Sequence, residues 1–349
     1  SVPNPFDSAL FTKAGPEMRR SLKDYKAIFE IPFDSFRMRN TALLEDKKGN
    51  LILITRGAPE SILKISSNFV SPLNKEEIKQ EIEKEGREGK RVLAIAFKPS
   101  QVSSKFGEGK EFSKRSFTKE DEKDFTFLGY FSFVDPLKST AKPAIALAKK
   151  LGVRLKILTG DSFEVAGAVA KQIGLIKDFN EVILGETLES LSGPEFEKTC
   201  EQFNVFARVS PKTKYKIVGA LQKKYEVGFL GEGINDAPAL KIANVAIAVR
   251  EGADISREVS DIVLLEKDLR VIVAGIKEGR NIFSNINKYI KCTLATNFGN
   301  FYSIAAISLV IPFLPMLPIQ ILLVNLLSDF PLIAVTTDRV DPAELRKPK

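Results

Sequence analysis

The chain reads Gly231-Glu232-Gly233-Ile234-Asn235-Asp236-Ala237-Pro238-Ala239-Leu240 directly after the apolar run 227–230, at the start of a predicted helix. This layout gathers the carboxylates of Glu232 and Asp236 and the carboxamide of Asn235 where a strand ends. In open α/β folds, ligands bind at the carboxyl ends of the strands. Carboxylate oxygens suit Mg2+, a hard cation that keeps several waters while a phosphoryl group binds its other side. The stretch therefore predicts a magnesium-dependent phosphoryl-transfer site.

Two further segments end in polar residues that such a site needs. Residues 156–161 read Lys-Ile-Leu-Thr-Gly-Asp, a predicted strand that ends in the hydroxyl of Thr159 and the carboxylate of Asp161. Residues 206–214 read Phe-Ala-Arg-Val-Ser-Pro-Lys-Thr-Lys and supply cations, Lys214 among them. Each segment alone is also typical of an ordinary strand-to-turn junction. The ordered set favours phosphoryl transfer, in which catalysis is chiefly positioning and electrostatic stabilisation.

The composition of the chain limits its chemistry. The 349 residues carry a net charge of +8 and contain no histidine, which excludes histidine chemistry. Cys200 and Cys292 are isolated, form no metal-binding spacing and need not pair, as in a reducing cytosol. Basic residues are scattered and are not interleaved with aromatic residues, so we expect no nucleic-acid partner. We interpret the positive charge as a cytosolic surface held near the phosphates of nucleotide and lipid.

Periodicity divides the soluble part of the chain into two regions. In the first region, strand patterns at 51–54 and 92–97 and an amphipathic helix at 74–88 indicate mixed α and β structure. Residues 99–124 lack a sustained apolar period and are predicted to form a surface loop. From a strand pattern at 128–134 onward, strands and helices alternate, which predicts a parallel sheet of βαβ units.

Two apolar stretches, 294–311 and 319–336, are each about as long as a bilayer core requires. Basic residues lie before the first and after the second, including Lys288 and Arg339. Positive flanking charge places both outer ends in the cytosol. The pattern predicts a transmembrane hairpin in the lipid bilayer, with buried core helices of a soluble protein as the alternative. We therefore expect a multi-pass protein of the cell membrane whose soluble domains are cytoplasmic.

Polar residues interrupt both apolar stretches: Asn297, Asn300, Asn325, Ser328 and Asp329. Polar groups inside a bilayer are costly and usually face a pathway or a partner helix. An isolated carboxylate there costs about 2.5 to 3.5 kcal/mol on insertion scales, so we expect a cation beside Asp329. Hydrogen bonding between helices is the alternative role, above all for the asparagines.

The ordered motifs resemble those of the P-type ATPases, whose phosphorylation domain has the haloacid-dehalogenase fold. The resemblance also rests on Ile-Pro-Phe-Asp at 31–34, Arg-Gly-Ala-Pro-Glu at 56–60 and Asp-Pro-Leu-Lys at 135–138. Within that family, Asn-Phe-Gly-Asn at 297–300 and the proline-rich segment 312–318 most resemble the magnesium-translocating branch.

The resemblance implies an α/β fold, with a haloacid-dehalogenase-like parallel-sheet phosphorylation domain, an inserted α+β nucleotide-binding domain and a C-terminal transmembrane helical hairpin. The implied nucleotide-binding domain is partial and covers 1–127, and the C-terminal part of the phosphorylation domain covers 128–283. Two transmembrane helices would cover 284–337, and a cytosolic tail would cover 338–349.

The resemblance also implies roles for individual residues. The implied contacts of ATP are Phe33, Arg56, Arg91, Thr159, Gly160, Asp161 and Arg208. The implied catalytic residues are Thr159, Asp161, Lys214 and Asn235. The implied ligands of the cofactor Mg2+ are Glu232 and Asp236. The transported divalent cation would bind Asn297, Asn300, Asn325, Ser328 and Asp329.

Two of these residues depart from the family pattern. Arg56 stands where most relatives carry lysine, and its planar guanidinium differs from a point donor. Glu232 stands where the family normally has aspartate. Its extra methylene moves the carboxylate by about a bond length, and a misplacement of ~1 Å can cost roughly a hundredfold in rate.

The phosphorylated Asp-Lys-Thr-Gly-Thr motif of P-type ATPases does not occur in the 349 residues. We therefore expect a missing N-terminal half with the actuator domain and the first four membrane helices, and we expect the chain alone to be inactive. The predicted function of the complete protein is ATP-driven cation transport through an aspartyl-phosphate intermediate, with Mg2+ as the favoured cargo. One alternative is a calcium or other cation pump. Another is a non-catalytic, membrane-anchored ATP-binding module.

Overall fold

A computed structural model describes residues 5–34, 36–70, 72–99 and 122–346 of the chain. Most of the loop predicted at 99–124 lies outside the described residues. The described residues form twelve β-strands: β1 (Tyr25–Asp34), β2 (Arg39–Asp46), β3 (Leu51–Gly57), β4 (Ser66–Phe69), β5 (Arg91–Pro99), β6 (Phe125–Phe133), β7 (Ile157–Leu158), β8 (Val182–Leu184), β9 (Val205–Ala207), β10 (Gly228–Gly231), β11 (Val245–Val249) and β12 (Ile262–Leu264).

The same residues form fourteen α-helices: α1 (Pro5–Lys13), α2 (Pro16–Ser21), α3 (Pro59–Ile65), α4 (Lys75–Arg87), α5 (Ala141–Lys150), α6 (Phe163–Gln172), α7 (Gly185–Glu189), α8 (Gly193–Gln202), α9 (Pro211–Gln222), α10 (Ala237–Ile242), α11 (Asp254–Glu258), α12 (Leu269–Ser308), α13 (Pro318–Ala334) and α14 (Pro342–Arg346). The chain divides into two compact units. Unit 1 comprises Ser1–Leu137 and Lys156–Ile262, and unit 2 comprises Lys138–Leu155 and Val263–Lys349.

A six-stranded sheet forms the first part of unit 1, with the strand order β1-β2-β3-β5-β6-β4. Residues of β3 alternate between buried and half-buried positions, as expected for a strand with one face on a core. Helices α3 and α4 cover that face, and Ile62 and Ile78 from them join Phe125 and Phe127 in the core. Helix α4 begins with a capping box between Asn74 and Glu77, which explains where the predicted helix starts.

The strand predicted at 128–134 belongs to this sheet. It is part of β6, which pairs antiparallel to β5 and parallel to β4. The prediction that this strand opens the parallel sheet was wrong. A strand pattern reports which residues alternate, whereas the pairing partner depends on which core takes the buried aromatic side chains of Phe125 and Phe127.

Two small sheets form the second part of unit 1, and their order is β7-β9-β8 and β10-β11-β12. The pairs β7–β9, β8–β9 and β10–β11 are parallel. All of β9 is buried, and Phe206 packs with Leu188 and Ile217 from the neighbouring helices. The predicted mixed α/β architecture with parallel sheets is therefore confirmed.

Unit 2 is helical over most of its described length. Ala144 and Ala148 of α5 pack with Val273 of α12 and Leu345 of α14. The guanidinium of Arg280 donates hydrogen bonds to the carbonyls of Leu151 and Leu345. Helix α14, in the segment predicted as a tail, is thus packed into the core of this unit.

The apolar helices of unit 2 differ in length. Helix α12 is one continuous helix of 40 residues, and α13 is a helix of 17 residues. Among the described residues, one helical segment, Pro318–Thr337, is long and apolar enough to cross a membrane, and none of its apolar window is buried. Asn297 and Asn300 make α12 more polar, so the predicted transmembrane hairpin remains a prediction.

A buried carboxylate connects separate segments of unit 1 through hydrogen bonds. The side chain of Glu122 is fully buried and accepts hydrogen bonds from Arg37, Arg39 and Thr41. Arg39 also donates to the hydroxyl of Ser61, which donates to the carbonyl of Arg37. The network joins the end of β1 to the start of α3.

We predict that Glu122→Gln lowers the free energy of unfolding of the six-stranded sheet by about 3 kcal/mol at pH 7, because both arginines lose their buried partner. Burial raises the pKa of Glu122, but hydrogen bonds from Thr41, Arg37 and Arg39 outweigh this and lower it. A lowered folded-state pKa stabilises the fold above the unfolded pKa of about 4.3, and this stability is lost as pH falls through the folded value. Hydrogen exchange of the sheet amides measures the difference.

The exposed Glu17 offers the matched control, and Glu17→Gln is expected to leave exchange unchanged. The difference between wild type and Glu122→Gln should shrink as pH falls below the unfolded pKa. An equal difference at pH 7 and at low pH would contradict the role of the ionised carboxylate.

Candidate active site

A cleft of about 1400 Å³ lies within unit 1, with walls from the six-stranded sheet and from the parallel-sheet part. Its lining includes the following predicted site residues: Phe33, Arg56, Arg91, Gly160, Asp161, Arg208, Lys214 and Asn235. Residues from distant parts of the sequence therefore meet at one cavity, which is large enough for a nucleotide.

The wall from the six-stranded sheet presents an aromatic ring and a cation. Phe33 on β1 is 65% exposed, so it is not a core residue. Arg56 on β3 donates from Nε to Asn40 Oδ1 at 3.2 Å, and its guanidinium forms an ion pair with Asp7. The sequence interpretation missed Asp7, because Asp7 and Arg56 are 49 residues apart in sequence and no motif marks the pair.

Residues of the loop after β7 form hydrogen bonds with one another. Thr159 Oγ1 donates to Asp161 Oδ2 at 2.9 Å and accepts from the Asp161 amide at 3.1 Å. Arg91 reaches the same Asp161 Oδ2 at 3.1 Å, and its other terminal nitrogen lies 3.4 Å from Asp135 Oδ2. Ser162 then caps α6 by accepting from the Val165 amide. Asp135, in the Asp-Pro-Leu-Lys motif, had no role assigned from sequence.

Arg208 lies beside this loop in a strained backbone conformation, with φ of 51°. Its amide donates to the carbonyl of Asp161, and its guanidinium donates to the carbonyl of Gly160, both at 3.0 Å. The same guanidinium forms an ion pair with Glu60 from the first turn of α3. Sequence reasoning quoted Glu60 in a motif but assigned it no role.

Residues 231–240 fold into a compact centre around the carboxylate of Asp236. Asp236 Oδ1 lies 2.7 Å from Lys214 Nζ. Asp236 Oδ2 accepts from the amides of Glu232 and Gly233, both at 3.2 Å. The short 3-10 turn Ile234–Asp236 makes this possible by bringing the Asp236 side chain back to the end of β10.

The donors here fit Mg2+ in type. Asp236 and Glu232 provide hard carboxylate oxygens, and Mg2+ is commonly held by one or two carboxylates together with water and phosphate oxygens. In the described part of the chain, no group of three or more His, Cys, Asp or Glu side chains is arranged to hold a metal ion. Protein carboxylates of the described residues could therefore supply only part of a coordination shell for Mg2+.

Cys200 is not a nucleophile for this cleft. Its side chain is fully buried among Leu188, Phe206 and Ile217, and burial raises the pKa of the thiol to about 12. A thiol is nucleophilic as the thiolate, which is scarce at neutral pH when the pKa is so high.

The five predicted ion ligands lie in unit 2 on two packed helices. Asn285 of α12 donates to the carbonyls of Thr336 and Asp338, which fixes α12 beside the end of α13. At a rise of 1.5 Å per residue from this contact, Asn297 lies about 18 Å along α12 and Asn325 about 16 Å along α13. Asn297 and Asn325 are therefore at similar distances from this contact along their helices.

The five predicted ion ligands differ in exposure. Asp329 and Asn297 are exposed, and Asn300, Asn325 and Ser328 are half-buried. The hydroxyl of Ser328 donates to carbonyls of its own helix.

Comparison with known proteins identifies the family. Residues 2–140 match the family model for the P-type ATPase cytoplasmic domain N. The chain is 38% identical to the magnesium-transporting ATPase, P-type 1, of Escherichia coli K12, over 99% of the chain and 38% of that relative. The chain belongs to the P-type ATPases. The predicted family is therefore confirmed, and the relative's own name describes an ATPase.

Two other relatives of this P-type ATPase chain are named for different cations. A magnesium-transporting ATPase, P-type 1, of Salmonella typhimurium is 37% identical, over 99% of the chain and 38% of the relative. A calcium-transporting ATPase of Bacillus subtilis is 35% identical, over 99% of the chain and 39% of the relative. The chain thus spans about two fifths of the length of the curated relatives that it matches.

We predict that Gly231→Ala disrupts the Asp236 centre, because an added Cβ would lie 2.6 Å from Asp236 Cβ. The carboxylate must shift away from the amides of Glu232 and Gly233, and we expect their hydrogen exchange to accelerate at least tenfold. A tenfold change corresponds to about 1.4 kcal/mol, close to the lower end of the roughly 1.5 to 3 kcal/mol that a hydrogen bond to a charged group contributes.

Gly233→Ala is the matched control. A Cβ there would lie 3.7 Å from Asp236 Oδ2, an ordinary contact distance, so exchange of the same amides should stay close to wild type. Equal acceleration in both variants would refute the steric explanation.

Proposed function

We propose that the chain is the nucleotide-binding and phosphorylation part, with a membrane hairpin, of an ATP-driven cation pump, and that Mg2+ is its cargo. The observation that carries the proposal is the cleft, which collects an exposed aromatic ring, the arginines and Lys214 around one cavity, with Asp236 paired to Lys214. An aromatic ring suits a nucleobase, and clustered cations suit phosphates.

The candidate site residues then have separate roles in binding and orienting the nucleotide. Phe33 stacks on the adenine, while Arg56 and Arg91 hold the nucleotide through charge. Thr159 donates a hydrogen bond to a phosphoryl oxygen, and Lys214 neutralises the phosphoryl charge. Asp236 and Glu232 hold the cofactor Mg2+, which supplies further charge neutralisation when bound.

The phosphorylated aspartate is proposed to come from a segment outside this chain. Among the described strands, β7 pairs only with β9, and β10 only with β11. Parallel sheets are normally buried and continuous, yet Leu230 of β10 is 40% exposed. A strand inserted between β7 and β10 would join both sheets, in the haloacid-dehalogenase manner, and its carboxyl end would lie beside Thr159 and Glu232.

The cargo site is proposed on the two helices of unit 2. Asp329 supplies the negative charge, and Asn297, Asn300, Asn325 and Ser328 supply neutral oxygens. Names of the relatives support Mg2+ over Ca2+, since the magnesium transporters are the more similar of those compared. A Ca2+ pump is the second candidate, because the calcium-transporting relative aligns over the same share of the chain. Both require placement of α12 and α13 across a cell membrane.

We predict that the chain, in detergent, binds a fluorescent ATP analogue and that Phe33→Ala weakens this binding about tenfold. Stacking of a base on an aromatic side chain contributes roughly 1 to 3 kcal/mol, so loss of the ring should be measurable as a change in Kd. Fluorescence titration with the analogue provides the measurement.

Phe131→Ala is the matched control, because Phe131 is an exposed phenylalanine of the same sheet that does not line the cleft. Its Kd should equal that of wild type. The chain should also take no acid-stable label from ATP and Mg2+, since the aspartate of the motif is absent. Covalent label, or equal weakening by both variants, would argue against the assignment.

We predict that Asp329→Asn in the complete pump abolishes cation-stimulated ATPase activity, because the carboxylate supplies the charge that offsets the cation in the bilayer. Asn300→Ala should weaken the apparent cation affinity less, since only a neutral ligand is lost. ATPase rates in reconstituted vesicles against Mg2+, Ca2+ and Mn2+ measure both effects, with cytosolic Mg2+ constant.

Nucleotide affinity of the cytosolic domains serves as the internal control and should be unchanged in both variants. Full transport by Asp329→Asn would rule out the proposed cargo site. Stimulation by Ca2+ that exceeds stimulation by Mg2+ would replace the proposed cargo with the second candidate.

A further inference from the structure

We propose that Glu60 is a positioning residue: its carboxylate fixes the guanidinium of Arg208 across the cleft, and this bridge slows the release of bound nucleotide. The pair links α3, on the six-stranded-sheet side, with the segment after β9, on the parallel-sheet side. The part that concerns nucleotide rests on the function proposed above.

The backbone of Arg208 is held rigidly on its side of the cleft. A φ of 51° lies in the left-handed region, which a long side chain rarely adopts. Hydrogen bonds from the Arg208 amide to Asp161 and from the Val209 amide to Thr159, each 3.0 Å, hold this conformation. Gly185 also packs tightly here, because a Cβ on it would lie 2.6 Å from the Arg208 carbonyl oxygen.

The other end of the bridge is equally well placed. A Cβ on Gly57 would lie 2.3 Å from the carbonyl oxygen of Met38, so only glycine permits this approach. The Ala58 amide donates to the same carbonyl at 2.9 Å, and α3 begins one residue later. Glu60 therefore projects from a fixed first helical turn.

The guanidinium of Arg208 is then held from two directions. One terminal nitrogen donates to the Gly160 carbonyl at 3.0 Å, and the other pairs with Glu60. A planar fork with two fixed partners loses most of its rotamer freedom before any ligand binds. Without Glu60, the Gly160 carbonyl alone would hold a long and flexible side chain.

The two walls also touch at a second place that does not involve this pair. A Cβ on Gly86 of α4 would lie 2.9 Å from the Cβ of Glu164 on α6, so these helices are in close contact. Loss of the Glu60 carboxylate should therefore loosen the cleft beside Arg208 without unfolding unit 1. The Glu60 side chain is 49% exposed and that of Arg208 is 24% exposed, so salt should weaken the bridge.

The test uses the full 349-residue chain in detergent, a fluorescent ATP analogue as probe, and stopped-flow displacement by excess ATP. Glu60→Gln should raise the dissociation rate three- to tenfold at low salt. The difference should shrink in 0.5 M salt, which a purely steric defect would not do. Glu195→Gln is the matched control, because Glu195 is also in the first turn of a helix but does not line the cleft.

A double-mutant cycle shows whether Glu60 acts through Arg208. In an Arg208→Gln background, Glu60→Gln should change the dissociation rate less than about 1.5-fold, since the partner is already missing. Equal effects of Glu60→Gln in both backgrounds, or an unchanged rate in the wild-type background, would overturn the proposal.

Hydrogen exchange without nucleotide provides an independent readout. The amide of Arg208 should exchange faster in Glu60→Gln than in wild type, and Glu195→Gln should match wild type. If the wild-type chain binds no analogue, the proposed nucleotide site fails. Hydrogen exchange then still tests whether Glu60 positions Arg208. Equal exchange of the Arg208 amide in Glu60→Gln and in wild type would overturn that role.

Discussion

Charge matching in the cleft is the constraint on which the candidate site depends. Carboxylates concentrate in and beside the cleft, and four of them are paired with a cation: Asp7 with Arg56, Asp161 with Arg91, Glu60 with Arg208, and Asp236 with Lys214. A partly buried carboxylate that lacks such a partner would be disfavoured by loss of hydration. Arg56, Arg91 and Lys214, the cations proposed to hold ATP, thus have carboxylate partners when nucleotide is absent, so phosphate binding must compete with Asp7, Asp161 and Asp236.

Small residues and tight turns make this pairing possible. Gly231 allows the side chain of Asp236 to return to the end of β10, and Gly57 lets the start of α3 approach Met38. At both positions the constraint is the lack of room for a side chain, not an unusual backbone angle. An added Cβ would lie 2.6 Å and 2.3 Å, respectively, from the nearest atoms. Because protein interiors are close-packed, we expect these positions to tolerate little change even though they carry no functional group.

The extent of sequence-based prediction differs between local and long-range features. Helix α4 was predicted at 74–88 and lies at Lys75–Arg87, because its cap and its amphipathic period are local. The strand pattern at 128–134 was also local, and the strand itself was predicted correctly. Its placement in the parallel sheet was wrong, since pairing depends on which distant core buries Phe125 and Phe127. Glu122 and its arginines could not be predicted, because they lie more than eighty residues apart in sequence.

The sequence alone was enough to identify the family, the parallel-sheet architecture and eight of the residues that line the cleft, because strand periods and motif residues are encoded within short segments. It also marked Thr159 and Asp161 as neighbours, since they are two residues apart at a strand end. The three-dimensional arrangement was needed to show that Arg91 meets Asp161 and that Arg208 meets Glu60. Those pairs form because the two sheet regions face each other across one cleft, and contacts of this kind follow from the packing of whole elements rather than from any local pattern.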